Sequence, residues 1–463
     1  MNGRILRIET RRSLAPWAGL GIAASTVAFL FLLGGDAAED SSAWTAEWTS
    51  MAMWTRGVLF YAWPLALGAG ALQGLRDSRS KMPELLSSTP RPAWHRAASL
   101  GGTTAVVLAS AFAVLVLIGG VQVLAHTEYT HVGWMPVSLV GALFLAAGAV
   151  LGIGIGRSLP SVFTPPMVTM AAFMLGQLLL IKSAPLASAV STWEEARGAG
   201  LLPGRIALLA PAIRETGETL FTLSAAVHAG QLVWVIALTT TGFALLAAAS
   251  RRGRLLALVP AVVGAAVALL ILPSTSEETY VLDKAAAEKV CDGAVCVTAM
   301  QRSRLAGLTG PGEKALGLMK GALGGRAPVG IRERTTIVPY LEVKERSRED
   351  VLIDFDDEVL RYARTDEDLT RALLGLGLAP ECSFGGLDVQ SVASSWVMGE
   401  FRMLPSAPGP AAEMAEKTAR SAWKRLTALP EAEQRERIDA MRASAFSCED
   451  ETDPLDVLAG GPR

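Results

Sequence analysis

Residues 99–124 read SLGGTTAVVLASAFAVLVLIGGVQVL, 26 positions without one charged side chain. As a helix rising about 1.5 Å per residue, this run is long enough to cross the roughly 30 Å hydrocarbon layer of a bilayer. Six more runs of the same kind flank it, at 14–34, 57–75, 134–155, 161–181, 229–249 and 255–272. None of the seven holds an Asp, Glu, Lys, Arg or His in its core. Backbone polar groups must bond internally in lipid, so each run is expected to be a helix. The expected fold is a polytopic α-helical membrane protein with about seven transmembrane helices, followed by an α+β extracytoplasmic domain.

The chain has 463 residues, and its charge is unevenly spread. Residues 1–272 carry 18 Lys/Arg and 12 Asp/Glu, a net of +6. Residues 273–463 carry 24 Lys/Arg and 32 Asp/Glu, a net of −8. A near-neutral total with an acidic second part excludes a nucleic-acid binder held by bulk charge.

Loop charges set the expected orientation. Arg4, Arg7, Arg11 and Arg12 precede the first run, and Arg76, Arg79, Lys81, Arg91 and Arg96 follow the second. Arg157 follows the fourth, and Arg251, Arg252 and Arg254 follow the sixth. The alternate loops hold Asp36, Glu39, Asp40 and Glu47, or Glu128 alone. The N-terminus is therefore expected in the cytoplasm of a multi-pass cell-membrane protein, and residues 273–463 outside. Trp44, Trp48, Trp54 and Trp134 fit an interfacial belt. No convincing cleavage site follows Leu33, so the first run is expected to remain as an anchor. Residues 4–12, RILRIETRR, have the pattern of an amphipathic helix on the inner leaflet.

Beyond Pro273 the pattern changes. Helical periods cover 283–304, 366–378 and 411–444, and TTIVPYLEV (335–343) and DVLIDF (350–355) have strand character. The tail EDETDPLDVLAGGPR (449–463) is expected to be disordered. All four cysteines, Cys291, Cys296, Cys382 and Cys448, lie here, which suits an oxidising side of the membrane. Four cysteines allow three pairings. Proximity favours Cys291–Cys296, which leaves Cys382–Cys448. Reduced thiols are the alternative, and the spacing does not suit zinc.

The loop after the second run, RDSRSKMPELLSSTPRPAWHR (76–96), is basic like other inner loops, yet it is also built to dock. Pro83 can open a helical turn, Glu84 suits its positive end, and Leu85 and Leu86 form an apolar knob. Pro90 and Pro92 then stop it. The order of an elbow helix, two spans, this loop and four more spans resembles the permease of an ABC-2 type exporter. The text R-D-x-R-x-x-x-x-E-L-L-x-x-T-P-R-P is similar to the coupling helix of actinobacterial members. AAVHAGQLVWVIALTTTGFALLAAAS (225–250) resembles their sixth span, with His228 at its outer end.

The resemblance covers residues 1–250. It implies that Arg76, Arg79, Glu84, Leu85, Leu86 and Pro90 contact a separate ABC ATPase subunit, which carries the ATP and Mg. It also implies a homodimer or heterodimer of permeases in the bilayer. The seventh span (251–272) and the outer domain (273–463) depart from the six-span pattern. VCDGAVCVTAM (290–300) is similar to a segment appended to some actinobacterial permeases.

The chain shows no nucleotide site of its own, because GLTGPGEKA (307–315) lacks the Gly-Lys-Ser/Thr that cradles phosphates. Intramembrane ionisable groups, the usual mark of proton coupling, are missing from the seven cores. Gly152, Gly154 and Gly156 are expected to pack helices closely, and Gln73, Gln122, Gln177 and Gln231 to glue them. His126, His131 and His228 share the expected outer face, where a metal or proton sensor competes with simple interface packing. DFDDE (354–358) is expected to be a solvated acidic face rather than a calcium loop. The outer part contains no histidine, which weakens a hydrolase reading. The alternative to a transporter is a membrane-anchored receptor or signalling protein whose outer domain binds an envelope component or ligand.

Overall fold

The computed structural model describes residues 20, 21, 24, 47–76, 93–127, 129–183, 205–213, 220–248, 250–336, 345–355, 357–381, 386–447 and 454–459. The chain divides into two compact units, 1–281 and 282–463.

The first unit is helical. Its elements are α1 (Trp48–Gly57), α2 (Leu59–Gly74), α3 (Ala93–His126), α4 (Trp134–Ser158), α5 (Thr164–Ser183), α6 (Ala225–Ala247), α7 (Arg251–Leu256) and α8 (Val259–Ile271). A short strand, β1 (Phe221–Leu223), pairs with β2 (Tyr280–Leu282). Among the described residues, four helical stretches are long and apolar enough to cross a membrane: 98–126, Trp134–Ser158, Ala225–Ala247 and Arg251–Ile271. The first expected run lies outside the described residues, apart from three positions. The second is a helix broken at Val58, so neither piece alone has spanning length. The fifth contributes a shorter apolar stretch, Thr164–Leu179.

Helix α4 forms the middle of this bundle. Gly148, Gly152 and Gly156 recur every fourth residue and so share one helix face. A Cβ at Gly152 would collide with the Leu67 carbonyl of α2, and one at Gly156 with that of Ala71. Gly70 and Gly74 of α2 answer them, each against an α4 carbonyl, those of Ala149 and Ile153. On another side of α4, Gly154 meets the Gly242 carbonyl of α6. The glycine triplet is thus a packing device, as its sequence context implies. Phe112, Leu115, Phe144 and Leu238 fill the bundle around these contacts. Arg254 of α7 donates through Nη1 to the Ser158 carbonyl at 2.8 Å, which caps the end of α4. Trp48 and Trp134 are not a lipid-facing pair. They stack on each other at 5.2 Å, and Trp48 is buried.

The second unit is an α+β domain. A four-stranded sheet runs in the order β3 (Lys289–Asp292), β4 (Val295–Thr298), β5 (Gly330–Glu333), β6 (Asp350–Ile353). The β3–β4 hairpin is antiparallel and the other two pairings are parallel. The β4-to-β5 connection carries α9 (Arg302–Leu323). Beyond the short turn of helix Glu358–Arg361 come α10 (Asp366–Leu378), α11 (Leu387–Met398), α12 (Pro410–Thr427), α13 (Glu431–Ser447) and α14 (Pro454–Ala459). Val295, Val297, Ile331, Val351 and Ile353 alternate along the strands and join Met319, Leu373 and Leu426 in one core.

Several expectations need correction here. Residues 283–304 are not a helix: their alternation of small apolar residues around Asp292-Gly293 makes the β3–β4 hairpin, with Gly293 at φ 60°. GLTGPGEKA lies inside α9, which tolerates Pro311. The period at 411–444 splits into α12 and α13 on either side of Pro430. The tail is ordered at 454–459, where Leu455 and Leu458 enter the core. The expected helix 366–378 is α10, opened by a Thr365–Asp368 capping box, and β6 lies within the expected strand 350–355. The expected strand 335–343 lies largely outside the described residues.

Gly152→Val is expected to lower the stability of the detergent-solubilised protein by at least about 2 kcal/mol, because the added atoms meet backbone rather than a movable side chain. Gly102→Ala, where an added Cβ meets nothing, should leave the melting temperature in place. Equal melting of the two variants would contradict the contact.

Candidate functional site

The first unit encloses a cation. Arg56, in α1, has no exposed surface. Its Nε donates to the Pro211 carbonyl at 2.9 Å, its Nη1 to Val137 O at 3.2 Å and its Nη2 to Gln231 Oε1 at 2.7 Å. Its guanidinium carbon sits 5.4 Å from the centre of the Phe144 ring. All three bonds go to neutral oxygens. Gln231 is also fully buried and passes the connection on, donating from Nε2 to Leu208 O at 2.8 Å. Trp234 Nε1 donates to Leu209 O at 3.0 Å.

Three carbonyls of the segment 205–213 are thereby held by side chains of α1 and α6. Arginine suits this role because its rigid fork serves several acceptors at once, and a buried cation is stable only when such bonds replace its water. The node joins α1, α4, α6 and the segment before β1. It can hold that segment against the bundle.

Sequence reading missed Arg56 because the charge itself set the expected start of the second run at Gly57. The helix begins nine residues earlier, at Trp48. A solitary base between Glu47 and Arg76, inside an otherwise uncharged stretch, was the available signal. Gln231, expected to glue helices, does so here.

The other expected residues fall as follows. Arg76 lies two residues past the end of α2, and Arg79, Glu84, Leu85, Leu86 and Pro90 lie outside the described residues. Cys291 and Cys296 are bonded across the β3–β4 hairpin, where they are direct partners. Cys382 and Cys448 lie outside the described residues. His131 makes a 3.3 Å hydrogen bond with Thr49 and accepts from Gly133 N at 3.1 Å, while His126 bonds the Gln122 carbonyl. The described residues contain no group of three or more His, Cys, Asp or Glu that could hold a metal ion. Within DFDDE, Asp354 pairs with Arg334, and Glu358 accepts from Ala407 N at 2.7 Å.

The second unit has a charged strand edge. Arg332 donates to Asp350 at 2.9 Å and to Glu345 at 3.1 Å, and Thr336 donates to Glu345 at 2.7 Å. One cation serves two carboxylates at a partly exposed edge, so this network orders the edge and contributes little net stability. Glu333 is different, because it is buried on the same face of β5 as the core residue Ile331. Thr298 N donates to its Oε2 at 2.7 Å, just past the β4–β5 pairing of Val295 with Ile331 and Cys296 with Arg332. Burial pushes the Glu333 carboxyl from 4.5 up to about 7, against the lowering effect of the Thr298 bonds.

No family model, curated protein or solved structure matches the chain.

Two outcomes are expected. Gln231→Leu strands the Arg56 Nη2 and the Leu208 carbonyl, and should destabilise the detergent-solubilised protein by roughly 2–4 kcal/mol. An unchanged melting point would contradict the tie. Glu333 binds its proton more tightly when folded, so its contribution to stability is fully present below pH 4.5 and is lost as pH rises toward about 7. Glu333→Gln should therefore gain roughly 2 kcal/mol over the parent at pH 8 and match it at pH 4. Thermal melts at the two pH values check this, and parallel curves would refute it.

Proposed function

We propose that the chain is the membrane-spanning permease subunit of an ATP-driven exporter. Seven spans would leave the N-terminus in the cytoplasm and residues 273–463 outside. The observation that carries this reading is the Pro-bounded loop 76–92, with its Glu84-Leu85-Leu86 knob and its resemblance to a coupling helix. The packing around the loop supports it. Helices α2 and α3, which flank the loop in sequence, both pack on α4. A push on the knob would therefore reach the centre of the bundle from two sides. Closure of ATP-bound partner subunits would move the loop, and the glycine-locked helices would follow as a block between two states. The ligand selects between those states only by binding one of them better.

The enclosed Arg56 adds a second support. Its three donors are bonded to neutral oxygens, which suits a structural tie better than a proton relay. The work would then come from the partner ATPase. The outer domain would receive cargo or gate its exit.

The test is reconstitution with the P-loop ATPase encoded beside the gene. Glu84→Lys, or Leu85→Asp with Leu86→Asp, should abolish stimulation of ATP turnover while the permease keeps its gel-filtration profile. Unchanged co-purification and turnover would remove the docking role. The absence of any neighbouring ATPase would favour the receptor alternative.

A further inference from the structure

Most buried or half-buried charges of the second unit are matched. Arg332 meets two carboxylates, and Arg402 meets Glu367 and Asp368. One cluster departs from that pattern. Arg326 follows α9, Arg346 and Arg348 precede β6, and Arg442 lies on α13; Arg346, Arg348 and Arg442 meet at Phe446, and Arg326 joins them through Arg442. The guanidinium carbons of Arg348 and Arg442 lie 5.6 and 5.3 Å from the centre of its ring. Arg346 Nη1 donates to the Phe446 carbonyl at 2.8 Å, and Arg442 Nη1 to the Arg326 carbonyl at 2.8 Å. Arg326 pairs with Asp439 at 2.8 Å, the one carboxylate that meets these four arginines among the described residues. The carbonyl end of α13 adds only about half a negative charge. Among the described residues the cluster therefore keeps an excess of positive charge.

The arrangement of Arg442 gives that excess a direction. Its Nε and Nη2 are shielded from solvent and have no hydrogen-bond partner among the described residues. Those two N–H groups lie side by side on one edge of the guanidinium. They form the parallel fork that takes two oxygens of one oxyanion. A buried fork with no acceptor is a group that calls for an ion. Burial and the like charges of Arg326 and Arg348 lower the Arg442 pKa, while Asp439 raises it. A dianion bound here would relieve that repulsion as well as fill the fork.

We propose that the Arg442 fork, with Arg326 and Arg348 beside it, is a binding site for a phosphate-type oxyanion, either free or carried on a lipid headgroup. The site belongs to the second unit alone and does not depend on the permease reading.

The test uses the full chain in a phosphate-free maltoside detergent at low ionic strength. Inorganic phosphate and monomeric dihexanoyl-phosphatidylglycerol are each titrated by calorimetry. Saturable binding is expected. Arg442→Lys keeps the charge and loses the fork, and should weaken binding roughly tenfold. Arg348→Ala removes an exposed side chain, and should weaken binding several-fold while leaving the melting temperature unchanged. Tighter binding of the phosphatidylglycerol assigns the site to a lipid headgroup, and tighter binding of inorganic phosphate assigns it to the free ion. No binding at millimolar phosphate, or binding that neither variant changes, would overturn the proposal. So would binding that appears only when Glu449→Gln, Asp450→Asn, Glu451→Gln and Asp453→Asn are combined, because the chain's own carboxylates would then be filling the fork.

Discussion

Two helices can approach to backbone contact only where side chains are missing on both, and α4 is built around that limit. Leu67 and Ala71 of α2 place carbonyls where Gly152 and Gly156 would carry Cβ atoms, and Gly242 of α6 does the same at Gly154. In lipid there is no hydrophobic gain from pressing one apolar helix on another, so close van der Waals contact must supply the attraction. The three glycines sit within five residues, and they present contact surfaces to two different neighbours. The bundle takes its arrangement from that short segment.

The Arg56 node stands on this arrangement. Val137 and Phe144, two of its contacts, belong to α4, and Gln231 belongs to α6. Were the helices held apart by side chains at the glycine positions, one guanidinium could not reach acceptors on both. Its three bonded partners are two backbone carbonyls and one side-chain amide, so neutral dipoles carry its solvation. Such a group is costly to leave half-satisfied, which makes the arrangement close to all-or-none. The same logic separates the two arginine groups of the second unit. Arg332 and Arg402 meet carboxylates that neutralise them, whereas Arg442 keeps an edge without an acceptor among the described residues.

How much of this was legible in the sequence follows from what each feature depends on. Long uncharged runs read directly as helices, because lipid permits little else. The apolar period at 366–378 placed α10 residue by residue. The glycine triplet was readable as packing, but its partners on α2 and α6 were not, since spacing along one helix carries no information about the other. Arg56 was hidden by the rule that finds spans, which ends a run at a charge. The hairpin at 289–298 was hidden by the alanines before it, whose helical propensity was overridden by the turn at Gly293. The tail 449–463 has the composition of a disordered end, yet Leu455 and Leu458 are core residues. Composition averages over a window, and two well-placed leucines are lost in it.

The Cys291–Cys296 bridge encloses only four residues, so it removes little freedom from the unfolded chain. Its effect is local, on the outermost strand. β3 is held to the sheet by β4 alone, and an edge held that way can slip by a residue or lend itself to a neighbouring molecule. Covalent pairing of two directly opposed positions forbids both. Protein made where thiols stay reduced would keep the domain's core but lose the pin on its border. Its first defect would be one of company rather than of shape, with strands exchanged between copies.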